Sequence, residues 1–75
     1  MPKKIWELKA MLLKAGFIYR SGKGSHTVWS YPLLVYSLTL SGKDGADADC
    51  YQEKDVRNAL MEIRQLEEED KGEQE

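Results

Sequence analysis

Apolar residues near the start of the chain recur with a helical period. Ile5, Leu8, Met11, Leu12 and Ala15 stand at i, i+3, i+6, i+7 and i+10. At 100° per residue they share about a third of a helix circumference, which predicts an amphipathic helix over 3–15. Gly16 follows directly, as the residue that ends a helix in a left-handed turn. From residue 17 the period drops to two. "FIYR" (17–20) is rich in β-formers and runs into the turn-grade Ser21-Gly22-Lys23-Gly24. "SHTVWSY" (25–31) then alternates: Ser25, Thr27, Trp29 and Tyr31 point one way, His26, Val28 and Ser30 the other. Pro32 stops that strand, and "LVYSLTL" (34–40) predicts a third, closed by Ser41-Gly42. After the polar loop "GKDGADAD" (42–49), Val56, Ala59, Leu60, Ile63 and Leu66 trace a second amphipathic helix near 52–68. Its start has two readings, Asp49 with Gln52 at capping-box spacing or a later cap at Asp55.

The order α-β-β-β-α predicts an α+β fold. The smallest arrangement that hides both apolar stripes is a three-stranded antiparallel sheet with both helices on one face. The reading is one domain over 1–69 and an acidic tail over 70–75. Trp6 and Leu13, seven residues apart, share a side of the first helix that its core stripe does not need. They are either a second packing surface or a contact with a partner or another copy.

Composition narrows the classes. Seventy-five residues are too few for a deep substrate cavity. An apolar content of 41% is ample for a folded core. No apolar run approaches the ~20 residues of a membrane helix. "MPKKIWELK" reaches Glu7 before an apolar signal region could form, so no secretory signal is read there. The lone Cys50 has no internal disulfide partner, which points to a reducing cytoplasm. One cysteine and one histidine cannot assemble a zinc site of three or four soft ligands, so no metal is expected.

Charge changes the picture more. The net charge of −2 conceals two unlike halves. Residues 1–43 hold seven Lys/Arg against the single acid Glu7, whereas 44–75 hold four Lys/Arg against twelve Asp/Glu. The first half is thus a candidate for an anionic partner although the whole is acidic.

The only histidine, His26, lies in that basic half, just past the glycine turn. A phosphate-binding P-loop is excluded: "GKGS" lacks the required spacing and leads into a strand, where the motif leads into a helix. With Glu7 alone nearby in sequence, a pair of catalytic carboxylates is excluded too, unless the acidic loop folds back. A histidine beside Arg20 and Lys23 suits RNA cleavage without a metal. The ribose 2′-hydroxyl is already the nucleophile, so the protein supplies a proton acceptor or donor and cations for the phosphate.

These residues resemble a known family. "LLKAGFIYRSGKGSHTVW" is similar to the core of the HicA (YcfA-like) toxins, small mRNA interferases of toxin–antitoxin pairs. The likeness lies in a helix ending near Leu12-Leu13, then Gly16-Phe17, a basic turn, Gly24-Ser25-His26, and Trp29 three residues on. "VYSLTLSGKD" resembles the third strand and its exit, and "DVRNALMEI", with Asp55 and Arg57, resembles the second helix. The likeness spans roughly 4–66. It implies a fold like that of double-stranded-RNA-binding domains, with a single-stranded mRNA substrate and no cofactor. It also implies a HicB-like antitoxin that covers His26. The catalytic role then falls on His26, with Arg20, Lys23, Gly24 and Ser25 meeting RNA, and Trp6 and Leu13 facing a partner. The chain departs from the family in its acidic balance, in "YQEKD" before the second helix, and in its acidic tail. Fewer neutralised phosphates imply weaker RNA affinity. The expectation is a type II toxin acting as a metal-independent endoribonuclease. The alternatives are a non-catalytic RNA-binding module of the same fold and an interaction domain built on Trp6 and Leu13.

Overall fold

The computed structural model describes residues 3–73, with side-chain surroundings over 3–68. Among these residues the element order is α1 (Ile5–Ala15), β1 (Ile18–Ser21), β2 (Thr27–Ser30), β3 (Leu38–Leu40) and α2 (Cys50–Glu73). The strands form one antiparallel sheet in the order β1-β2-β3. Register runs Ile18 to Ser30 and Arg20 to Val28 on one side of β2, and Val28 to Thr39 and Trp29 to Leu38 on the other. The α-β-β-β-α order and the antiparallel sheet are those the periodicity predicts.

The alternation in β2 decides which face is covered. Trp29 sits directly opposite Leu38, and Leu40 follows two residues later on the same face. These three are buried in one cluster with Ile5, Leu8 and Leu12 of α1 and Val56, Ala59 and Ile63 of α2. Both helices therefore pack on the Trp29 face and leave the Val28 face to solvent. The two predicted helical stripes are the ones buried, with Met11, Ala15 and Leu60 half-buried at their margins. Gly16 closes α1 at φ 101°, its N–H bonded to the Leu13 carbonyl at 3.1 Å.

The ends of every element but the exit of α1 and of β3 depart from expectation, most of all in β3 and α2. β3 is only Leu38–Leu40, not 34–40. Pro32 occupies the second place of a turn in which the Leu34 N–H donates to the Tyr31 carbonyl at 3.0 Å. β2 ends at Ser30, so Leu34–Tyr36 has no neighbouring strand to pair with. Tyr36 is instead drawn to α2, donating its hydroxyl to Glu62 Oε2 at 2.7 Å. α2 begins at Cys50, because the capping reading on Asp49 wins over Asp55: the Asp49 N–H donates to Gln52 Oε1 at 3.1 Å. Gln52 also donates to the Ser41 carbonyl at 3.0 Å and ties the helix start to the exit of β3. The helix continues to Glu73, beyond the expected 68. The side chains of the proposed 70–75 tail lie outside the described residues.

The acidic loop folds back onto α1. No side chain caps the start of that helix, and its first N–H groups donate to the loop instead. Ile5 bonds the Ala46 carbonyl at 2.9 Å and Trp6 that of Asp44 at 3.1 Å. Carboxylates are thereby held near the positive end of the helix dipole. Lys4 pairs with Asp47 at 2.6 Å and Lys9 with Asp44 at 2.7 Å.

Candidate active site

The candidate residues fall in two places. Lys23, Gly24, Ser25 and His26 lie together in the five-residue loop Gly22–His26 that joins β1 to β2, and Arg20 stands on β1 just before it. Trp6 and Leu13 are on α1, behind the covered face of the sheet, each 53% exposed. The hairpin and the helix stripe are separate surfaces.

His26 is not within the strand, as the alternation from 25 implied, but one residue ahead of it. The cause is local. Its backbone N–H turns inward to the Lys23 carbonyl at 3.1 Å and so is lost to strand pairing. Its carbonyl still accepts from the Gly22 N–H at 2.8 Å, which closes the hairpin. The ring is held by a second contact, Nδ1 to the same Lys23 carbonyl at 2.9 Å. A carbonyl can only accept, so Nδ1 carries the proton and, in the neutral ring, Nε2 bears the lone pair. An exposed imidazole thus has a defined tautomer and a free basic nitrogen.

Gly24 adopts φ 60°, a left-handed conformation that a side chain would strain. A Cβ there would meet no other atom within 4 Å, so the demand is purely backbone. Ser25 is engaged within the fold: its Oγ accepts the Gly42 N–H at 3.2 Å and fastens the hairpin to the end of β3. Its hydroxyl proton remains available to an acceptor. The ion pairs among the described residues are Lys4–Asp47 and Lys9–Asp44. Arg20 and Lys23 are exposed and have no carboxylate partner among those residues. The loop that could have brought acids to His26 brings them to α1 instead. Lys4 at the start of α1 and Lys9 within it are paired with these acids, whereas Arg20 and Lys23 at the hairpin are not.

Trp29 and Tyr31 belong to the packing. The indole is buried, stacks on Tyr19 at 4.7 Å between ring centres, and donates Nε1–H to Thr27 Oγ1 at 2.9 Å. Tyr31 tilts against Phe17 at 5.1 Å and donates its hydroxyl to Glu67 Oε1 at 2.9 Å. That hydrogen bond, with some burial and the carboxylate charge, raises the Tyr31 phenol above its ordinary pKa; Glu62 does the same to Tyr36.

One surface escaped the sequence reading. A hollow of about 200 Å3 opens on the uncovered face of the sheet, lined by Ile18, Tyr19, Arg20, Val28, Ser30 and Ser37. The signal was partly present in β2, whose alternation aligns Val28 and Ser30. The cross-strand register that adds Ile18 and Ser37 was not.

No described helix is long and apolar enough to cross a membrane. No group of three or more His, Cys, Asp or Glu is placed to hold a metal ion among the described residues. Comparison with known proteins yields no matching family, curated protein or solved structure.

Proposed function

We propose that the chain is a ribonuclease toxin of the HicA type that cleaves single-stranded mRNA through His26 and acts in the cytoplasm. One observation carries the reading: the His26 ring is fixed through Nδ1 with Nε2 free, on an exposed hairpin whose cations lack acidic partners. The α-β-β-β-α order agrees with what the family resemblance implies.

In the proposed reaction Nε2 takes the proton of a ribose 2′-hydroxyl. The oxygen attacks the adjacent phosphorus, the bond from phosphorus to the 5′-oxygen breaks, and a 2′,3′-cyclic phosphate forms. The departing 5′-oxygen takes a proton from water, and the imidazolium returns its own to solvent. Arg20 and Lys23 hold the phosphate and offset its growing charge.

His26→Ala tests this directly. A general base contributes about 10²–10⁴-fold in rate, and cleavage and growth inhibition should fall by that factor. The side chain is exposed, so stability should change by only about 0.5 kcal/mol. Cleavage by the unaltered chain should persist in excess EDTA. Undiminished cleavage by a folded His26→Ala chain would remove the histidine from the mechanism and favour a binding module. Trp6 and Leu13, exposed with Ala10 between them on one helical stripe, support a protein contact on α1, in this reading with a HicB-like antitoxin that also covers His26.

A further inference from the structure

We infer that the RNA strand lies on the open face of the sheet, and that the hollow beside Arg20 seats one unpaired nucleotide next to the phosphate held at His26. The inference rests on the ribonuclease reading and adds a binding subsite to it.

Three features of the face point to this ligand. The first is charge. Arg20 is the sole charged side chain among the outward positions Ile18, Arg20, Val28, Ser30, Ser37 and Thr39. Among the described residues, Asp44 and Asp47 are turned to Lys9 and Lys4, and Glu62 and Glu67 to Tyr36 and Tyr31. A face with one cation, three hydroxyls and no carboxylate attracts an anion and repels nothing anionic. A basic or neutral peptide has no such match.

The second feature is the chemistry of the lining. Ile18 and Val28 give an aliphatic floor on which a base can lie flat. Ser30 and Ser37, which both line the hollow, offer hydroxyls that donate and accept toward base or ribose edges. Arg20, opposite Val28, reaches a phosphate at the rim. The size fits one unit. About 200 Å3 is below the ~300–1,000 Å3 of pockets for drug-sized ligands. A base stacked inside a duplex cannot enter such a hollow, whereas a splayed single-stranded base can.

The third is position. His26, one residue ahead of β2, stands two residues before Val28, so their Cα atoms lie within about 7 Å of each other. Arg20 is one strand across from Val28, about 5 Å away. Imidazole and hollow are thus near enough for one RNA strand to reach both without leaving the sheet.

The experiment uses the full chain carrying His26→Ala, which binds without cleaving, and fluorescein-labelled single-stranded oligouridine and oligoadenosine read by anisotropy. Adding Ser30→Glu places a carboxylate on the face and should weaken binding about tenfold or more. Asn58→Glu, an exposed site on α2, adds the same charge elsewhere and should change it less than about twofold. Thermal melting confirms that each variant folds. Amide chemical-shift changes on titration with uridine monophosphate give a readout free of mutation, and should cluster at 18–20, 28–30 and 37–39. If folded Ser30→Glu binds as well as its parent, or the shifts cluster on α1, the subsite inference is overturned while RNA binding stands. If neither oligomer binds at low salt and the unaltered chain cleaves no RNA, the ribonuclease reading falls and the subsite with it.

Discussion

Replacing Trp29 with alanine separates a core indole from an RNA-stacking platform. The side chain is 1% exposed, is stacked on Tyr19, and bonds Thr27 through its N–H. An aromatic of this kind buries roughly 150–250 Å2. At ~25 cal/mol per Å2 that is about 4–6 kcal/mol, close to the ~3–5 kcal/mol that aromatic-to-alanine changes cost in cores. A 75-residue domain has a total stability of only about 4–11 kcal/mol. Each kcal/mol moves the melting temperature of such a domain by ~4–8 °C. Trp29→Ala should therefore lower Tm by at least about 12 °C, or abolish the cooperative transition. Trp29→Phe keeps a ring and loses the hydrogen bond with Thr27, for about 1–2 kcal/mol. Urea unfolding followed by far-ultraviolet circular dichroism measures both. Were the indole a platform for bases, Trp29→Ala would melt with the parent and lose ~1–3 kcal/mol of RNA affinity instead. A Tm within about 4 °C of the parent refutes the core assignment.

Four further outcomes are expected. Gly16→Ala should cost about 1–2 kcal/mol, because its φ of 101° is left-handed and a Cβ would press Tyr31 at 3.4 Å, while Gly45→Ala, with open space, should be near neutral in the same melts. The Lys9–Asp44 pair is exposed on its acid side, and a double-mutant cycle should return less than about 1 kcal/mol, shrinking with salt. The hydrogen bonds that raise the Tyr31 and Tyr36 pKa values favour the protonated phenols, so their contribution is complete below pH 10.0 and lost as pH climbs through the raised values. Alkaline unfolding of the Tyr31→Phe, Tyr36→Phe chain should accordingly be less steep in pH. Deleting 69–75 spares Glu67, the partner of Tyr31, and should leave RNA affinity unchanged or raised, most visibly at low salt; weaker binding would make the tail part of the site.

The sequence made the burial pattern legible because burial has a period. Ile5, Leu8 and Leu12 announce α1, and the β2 alternation puts Trp29 and Val28 on opposite faces, of which the structure turns Trp29 to the helices. What stayed hidden depends on neighbours distant in the chain. "LVYSLTL" has the composition of a seven-residue strand, but a strand needs a partner, and β2 stops at Ser30 ahead of Pro32. His26 leaves the strand because its N–H and Nδ1 both turn to Lys23, a choice that alternation does not encode. Ser25 looks like an RNA contact beside His26, yet its Oγ accepts an N–H seventeen residues away. The grouping of His26 with Lys23 and Arg20 was readable because a hairpin brings sequence neighbours together. The hollow was not, since it takes the register of three strands to assemble.

The charge distribution and the open face have a common origin in the size of the chain. Two amphipathic helices can cover one face of a three-stranded sheet, and 75 residues supply no third layer for the other. That face must then be wettable, and beside the aliphatic Ile18 and Val28 it carries Arg20 and the hydroxyls of Ser30, Ser37 and Thr39. A domain carrying twelve acids after residue 43 would ordinarily smother one cation. Here the 43–48 loop turns its carboxylates to Lys4 and Lys9, while the first N–H groups of α1 donate to its Ala46 and Asp44 carbonyls. Glu62 and Glu67 are likewise held by tyrosine hydroxyls. Removing the loop's negative side chains should therefore destabilise α1 without strengthening the hairpin, whereas a carboxylate introduced on the sheet should weaken anion binding at once. The net charge of −2 says little about partners because Arg20 stands on an open sheet face whose other outward residues carry no charge.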